Sequence, residues 1–164
     1  ANDPRQRALF GAAWLAGYAA ALEGAGIETL TLGALTGPRG LADVEGDTPA
    51  RYPVLDVAKA LARVAGAVRL RVTRSGDAAR IACVAVRHAD GAIELVLANL
   101  TSEPREVQLD FDEAIHASLH ATSLDEFTLT GRPGATSPWT LSPGVPVTLR
   151  PFACVFASSR EVFA

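Results

Sequence analysis

The stretch IETLTLG at residues 27–33, with the loop ALTGPRG that follows it at 34–40, decides the fold of the first part of the chain. Its aliphatic residues are interleaved with threonines, and this composition predicts a short buried β-strand. A nearly all-apolar helix is predicted before the strand and an amphipathic helix after it. Helix, strand, long loop and helix form the repeating unit of an α/β body. Because one such unit cannot form a sheet, residues 1–66 are interpreted as the last part of a (β/α)8 barrel.

The two helices that flank this strand differ in their apolar surfaces. Residues 8–22 are apolar on every side, so the helix that they form must be buried by neighbouring elements on all of its faces. We expect this cover from the remainder of the barrel or from self-association through this first helix. The run is shorter than the ~20 residues of a membrane span, and no membrane partner is expected. Residues 53–65 show helical spacing of valine and leucine, with Lys59 and Arg63 on the opposite side.

From Val68 onward the hydrophobic period changes to two. Turn signals such as the Asp90-Gly91 pair separate short apolar runs. About seven short strands with turn residues between them predict an antiparallel β-sandwich over residues 67–164. The fold class is therefore α+β, with terminal α/β units of a (β/α)8 barrel followed by this sandwich. The predicted strands are 68–72, 81–86, 93–98, 107–109, 115–122, 145–149 and 152–157.

Composition and charge exclude several classes of partner. Hydrophobic residues make up 49% of the 164 residues, which is enough to bury a sizeable core. The chain has a net charge of −3 and no basic block, so no nucleic-acid partner is expected.

Cys83 and Cys154 lie inside apolar runs and are expected to be buried thiols. With no secretory signal in view, the expected location is the cytoplasm. The absence of methionine suggests a piece of a longer protein.

The loop at 34–40 carries the candidate substrate-binding residues, Thr36 and Arg39. In a (β/α)8 barrel this loop leaves the carboxyl end of a strand, which is the face where active sites lie. The planar guanidinium of Arg39 is suited to hold a carboxylate or sugar hydroxyls, and Thr36 offers one hydroxyl. An ordinary exposed loop arginine is the alternative interpretation.

No metal site and no cofactor site is expected. His116 and His120 have the spacing of two metal ligands on a helix, but their segment alternates with period two. On a strand they would lie roughly 13 Å apart, too far to share one ion. Asn99-Leu100-Thr101 matches a glycosylation pattern, but Asn99 is expected to support a turn instead. The acidic residues after the candidate loop are interpreted as a solvated segment: Asp43, Glu45 and Asp47.

Several motifs resemble one known family. DPRQRALFGAAWLAG at 3–17, TGPRG at 36–40 and YPVL at 52–55 resemble the last part of the catalytic barrel of D-apionate lactonase-like proteins. LANLT at 97–101 and LRPFACV at 149–155 resemble the C-terminal β-sandwich of the same family. The resemblance implies hydrolysis of a sugar-acid lactone, or of a glycoside, by a longer chain in which the sandwich is a structural brace.

The resemblance also implies what this chain does not carry. The family tends to have an acidic residue just before the Thr-Gly motif, where this chain has Ala34 or Leu35, and neither can act as a base or a nucleophile. The paired carboxylates of related barrels come from other strands, so the 164 residues alone are expected to be inactive. Two other classes stay open. One is a non-catalytic β-sandwich that binds carbohydrate, with Trp139 as the candidate stacking residue; the other is a self-associating interaction protein.

Overall fold

The computed structural model describes residues 4–27, 29–31, 33–37, 40–43, 50–73, 75–111, 118–131 and 137–160. A short 3-10 turn at Pro4–Arg7 leads into helix α1 at Leu9–Ala21, and helices α2 at Pro53–Arg63 and α3 at Glu126–Leu129 follow. None of the helices in this part of the chain is long and apolar enough to span a bilayer. The strands are β1 Ala42–Asp43, β2 Ala50–Arg51, β3 Val68–Arg69, β4 Ile81–Arg87, β5 Ile93–Asn99, β6 Arg105–Val107, β7 Leu119–Leu124, β8 Trp139–Leu141, β9 Val147–Leu149 and β10 Cys154–Ser158.

A six-stranded antiparallel sheet lies at the centre of the molecule, in the order β3-β4-β5-β10-β7-β8. Helices α1 and α2 pack on one of its faces. The antiparallel pair β6–β9 packs on the other face. The remaining ladder, β1–β2, joins the end of the candidate loop to the start of α2. The chain is therefore α+β, with helices on one side of an antiparallel sandwich.

The central strands are apolar on both faces because both faces are covered. In β4 and β5, the pair Val84–Val96 faces the helices, whereas the neighbouring pair Cys83–Leu97 faces the β6–β9 sheet. This arrangement explains why the sequence of these strands is continuously apolar rather than strictly alternating. β7 differs, since Leu119 and Ala121 are buried while His120 between them is exposed. The strand periodicity that argued against a two-histidine metal site is confirmed at His120, whereas His116 lies outside the described residues.

Helix α1 approaches the sheet through small residues. Ala12 and Ala16 are fully buried against β4, β5 and α2. Gly17 faces Leu100, and a Cβ at this position would come within 3.1 Å of that side chain. The opposite face of α1 is not covered by the described residues: Trp14 is 58% exposed and Tyr18 is 41% exposed. Their rings stack on each other with centroids 5.3 Å apart.

The strand predicted at 27–33 is wrong as a local assignment. Its described residues form no strand, and Ile27 and Leu30 are exposed. A strand is stabilised by hydrogen bonds to its neighbours, and the described part of the chain places no strand beside this segment. The sequence interpretation also missed β8, where Trp139 and Leu141 alternate with Thr140.

Candidate functional site

The candidate loop is closed by backbone hydrogen bonds between its two ends. The Leu41 N–H lies 3.1 Å from the carbonyl oxygens of both Ala34 and Leu35, and the Ala42 N–H donates to Leu35 O. Ala34 and Gly40 form a single parallel bridge. The two ends of this turn, residues 34–35 and 40–42, are therefore held together, although the described residues that precede them form no strand.

Two glycines make this turn possible. Gly37 has a φ of +88°, a conformation that disfavours other residues. The Gly40 N–H donates to Gly37 O at 2.8 Å. A Cβ on Gly40 would lie 2.5 Å from the carbonyl carbon of Thr36, so this position has no room for a side chain. The spacing Gly37-x-x-Gly40 is the sequence signal for this geometry, and the sequence interpretation assigned no role to either glycine.

The turn is attached to the helical core on its far side. Leu41 packs against the cluster that contains α1 and α2. Strand β2 then leads to Tyr52, which is buried at the start of α2 and whose ring lies 5.2 Å from the Arg7 guanidinium. Arg51 pairs with Asp56 of α2 at 2.5 Å. The loop is thus fixed by its base, and its described residues Leu35 and Thr36 are exposed.

The structure places Thr36 on the exposed part of this loop. Arg39 lies outside the described residues, as do Glu45 and Asp47. Asp43 belongs to β1 through its backbone. The structure therefore gives the frame of the predicted site and the position of Thr36, and the pairing of Thr36 with Arg39 stays a prediction. Among the described residues no group of three His, Cys, Asp or Glu side chains is arranged to hold a metal ion.

In the sandwich, Asn99 supports a turn, as its position at the end of a strand predicted. Its side chain is fully buried, and its amide nitrogen lies 2.7 Å from Glu103 O, 2.9 Å from Arg150 O and 3.2 Å from Leu149 O. Its Oδ1 accepts hydrogen bonds from the N–H and the hydroxyl of Thr101. The motif is therefore structural in this protein.

Trp139, the candidate for stacking on a sugar, belongs to the sandwich core. Its ring is half-buried against the cluster that includes Leu119 and Leu141. Its indole N–H donates to Ser123 Oγ at 3.1 Å. Because both the ring and the polar atom are engaged within the fold, Trp139 offers no free platform for a ligand.

The two cysteines are buried thiols, as the sequence predicted. Cys83 faces the β6–β9 sheet and Cys154 faces the helices, so they lie on opposite faces of the large sheet. Strand β5 also separates their two strands. Burial raises the pKa of the Cys154 thiol to about 12, which keeps it protonated and unreactive at neutral pH.

Several solved structures share the fold of this chain. A GH30 xylanase C from Talaromyces cellulolyticus superposes with a TM-score of 0.55 at 24% identity, over 77% of this chain and 29% of that one. A GH30 endoxylanase from Clostridium papyrosolvens gives a TM-score of 0.55 at 17% identity, over 74% of this chain and 30% of that one. An α-L-arabinofuranosidase from Thermotoga maritima gives 0.53 at 14% identity, over 76% and 32%. At these identities the likeness establishes the fold alone.

Sequence comparison defines the family. Residues 1–66 match the D-apionate lactonase TIM barrel domain, and residues 78–157 match the D-apionate lactonase C-terminal immunoglobulin-like domain. A D-apionate lactonase from Brucella anthropi is 32% identical over 111 residues, which cover 66% of this chain. The chain belongs to the D-apionate lactonase family, and it spans 17% of the length of that relative.

Proposed function

We propose that this chain is the C-terminal part of an enzyme that hydrolyses a sugar-acid lactone. The observation that carries this proposal is the match of both consecutive parts of the chain to the two D-apionate lactonase domains. In the reaction, water adds to the lactone carbonyl and the ring opens to a hydroxy acid. The 164 residues supply one rim of the site, and the groups that activate the water come from the rest of the barrel.

On this proposal the turn at 34–42 presents Thr36 and Arg39 to the substrate. Loops at the carboxyl ends of barrel strands carry the active sites of such folds. Gly37 and Gly40 keep the backbone at the ends of the turn compact, and Thr36 beside them is exposed. The guanidinium would bind the carboxylate or hydroxyls of a sugar acid, because its planar fork matches such groups.

The test is steady-state hydrolysis of a sugar-acid lactone by the full-length protein and its Arg39→Ala variant. We expect kcat/KM to fall about 10–100-fold, since a hydrogen bond from a charged donor contributes about 1.5–3 kcal/mol. Thr36→Val should give a smaller loss in kcat/KM. Arg63→Ala, which removes an exposed arginine of α2, is the control and should leave kcat/KM unchanged. An unchanged kcat/KM in Arg39→Ala would remove Arg39 from the site.

Glycoside hydrolysis is the second candidate, and the structural likeness to a xylanase and to an arabinofuranosidase supports it. The two candidates differ in the bond that is cleaved. Cleavage of an aryl arabinofuranoside or xyloside by the full-length protein, with no turnover of lactones, would favour the second candidate. Turnover of neither substrate class would favour a non-catalytic role.

We place the protein in the cytoplasm. Two thiols buried on opposite faces of one sheet suit a reducing compartment. The partners that we propose are a small sugar-acid substrate and the remaining barrel elements, which would cover the exposed face of α1. Association of two copies through Trp14 and Tyr18 is the alternative when those elements are missing.

A further inference from the structure

Helices α1 and α2 begin at the same end of the helical layer. Arg7 ends the 3-10 turn before α1, and Tyr52 is the residue immediately before α2. The Arg7 guanidinium lies 5.2 Å from the centre of the Tyr52 ring, and the two helices pack on each other. In a (β/α)8 barrel the segment that precedes each helix lies on the face that carries the active site. The contact between Arg7 and Tyr52 therefore joins two neighbouring segments of that face.

Tyr52 is fixed at the junction between the candidate loop and α2. Its side chain is only 7% exposed and belongs to the cluster between the helices and the large sheet. Its φ of −88° and ψ of 148° are the extended conformation that a following proline favours. Its carbonyl oxygen accepts a hydrogen bond from the Leu55 N–H at 2.9 Å. The position of this ring is thus tied to the start of α2.

Backbone contacts connect Tyr52 to the candidate loop. Arg51, the residue before Tyr52, pairs with Ala42 in the β1–β2 ladder. The Ala42 N–H in turn donates to Leu35 O, beside Thr36. A displacement of Tyr52 is therefore transmitted through this ladder to the part of the loop that carries Thr36.

We propose that Arg7 is a positioning residue, which holds the candidate loop in place through its contact with Tyr52. The inference rests on the proposed function, in which Thr36 and Arg39 bind the substrate. A guanidinium is attracted to the face of an aromatic ring by the ring's quadrupole, so Arg7 restrains the base of the loop from the neighbouring barrel unit. Arg7 acts through Tyr52 and does not need to touch the lactone.

Arg5, in the same 3-10 turn, is the matched comparison. Its guanidinium lies 5.8 Å from the centre of the Phe10 ring, and Phe10 belongs to α1 itself. Both arginines are exposed. The contact of Arg5 therefore ties the turn to its own helix, whereas the contact of Arg7 ties the turn to the unit that carries the candidate loop.

Steady-state hydrolysis of a sugar-acid lactone by the full-length protein tests the inference. Arg7→Met keeps a long side chain and removes the cation. We expect KM to rise about 2–5-fold and kcat to change by less than about twofold, because the loop is less well preorganised before the substrate binds. Arg5→Met should leave both constants unchanged. An unchanged KM in Arg7→Met, or a lower kcat at constant KM as from loss of folded enzyme, would overturn the inference.

A double-mutant cycle shows whether Arg7 acts through the Tyr52 ring. Tyr52→Phe keeps the aromatic face, so Arg7→Met should raise KM in this background as much as in the wild type. In Tyr52→Leu the ring is gone, and Arg7→Met should then change KM by less than about 1.5-fold. A full effect of Arg7→Met in the Tyr52→Leu background would overturn the inference.

Hydrogen exchange gives a readout that needs no substrate. The Leu41 and Ala42 amides close the base of the candidate loop. In the full-length protein they should exchange about 2–5-fold faster in Arg7→Met than in the wild type, and at the wild-type rate in Arg5→Met. A wild type that turns over no lactone would contradict the proposed function, and exchange would then decide the role of Arg7 alone. Unchanged exchange of these two amides in Arg7→Met would overturn the inference whatever the activity.

Discussion

The sandwich and the barrel-like part of this chain differ in how completely they bury their own apolar residues. In the sandwich, Leu97, Leu119 and Leu141 are at most 1% exposed, and each belongs to a strand with a partner. In the barrel-like part, the helices bury one face, while Ile27 and Leu35 are at least 50% exposed. A helix satisfies its own backbone, whereas a barrel strand depends on neighbours. This difference explains why the two helices form, whereas the described residues of the segment at 27–33 do not form a strand.

The largest effect is expected at Asn99, which joins three strand ends of the sandwich. Asn99→Ala removes the one side-chain amide that donates to the carbonyls of Glu103, Leu149 and Arg150, and it removes the acceptor of the Thr101 N–H. We expect the free energy of unfolding to fall by about 3–5 kcal/mol in urea denaturation. Thr101→Val, which removes one hydroxyl from the same network, should cost only about 1 kcal/mol. Equal losses in both variants would show that the amide has no special role.

Two leucine-to-alanine substitutions test the difference in burial between the sandwich and the barrel-like part. Leu97→Ala, in the core of the sandwich, should lower the free energy of unfolding by about 2–5 kcal/mol. Leu30→Ala, at an exposed position of the barrel-like segment, should change it by less than about 0.5 kcal/mol. In the full-length protein Leu30→Ala should become costly, because neighbouring strands then bury it. A large cost of Leu30→Ala in the 164-residue chain would contradict the account.

The exposed aromatic pair on α1 should make the 164-residue chain self-associate. Trp14→Lys removes the stacked ring and places a charge on this face, so we expect weaker association in sedimentation velocity across a concentration series. Lys59→Ala, on the exposed side of α2, is the control and should leave the association unchanged. A wild-type chain that stays monomeric at every concentration would exclude this face as a contact.

The smallest effect concerns pH and the hairpin between β4 and β5. The Ala92 N–H donates to Asp90 Oδ1, and Arg160 pairs with the same carboxylate, so the pKa of Asp90 is lowered from 3.8. Because the folded state prefers the ionised carboxylate, this contribution is complete well above pH 3.8 and is lost as the pH falls below it. Chemical denaturation should show wild type more stable than Asp90→Asn at pH 6 and equal to it at the acid end. A constant difference across this range would exclude the carboxylate as the cause.

Periodicity predicted the elements whose partners are local in the chain. The helices at residues 9–21 and 53–63, the hairpin of β4 and β5, and the buried cysteines follow from patterns within the sequence. The same patterns failed at 27–33, because alternating threonine and leucine indicate a strand without indicating its neighbours. They also missed β8, because a strand of three residues that directly follows Pro138 is too short to show a recognisable alternation.

The location of the candidate site stays a prediction, and sequence reasoning missed how its turn is built. Thr36 and Arg39 were chosen because side chains carry the chemistry, and the loop position followed from the barrel interpretation. The close approach of Gly40 to the Thr36 backbone is a property of the folded turn. The spacing Gly37-x-x-Gly40 alone is too common to indicate it.

Hydrogen exchange of residues 27–31 tests most directly the claim that residues 1–66 are part of a (β/α)8 barrel. In the 164-residue chain the described amides of this stretch, at residues 27 and 29–31, have no strand partner among the described residues, so their exchange should be complete within seconds. In the full-length protein neighbouring strands should slow their exchange by more than about 100-fold, as in other sheet interiors. Amides of β5 should be protected in both proteins and serve as the internal standard. Equally fast exchange of residues 27–31 in the two proteins would contradict the barrel assignment.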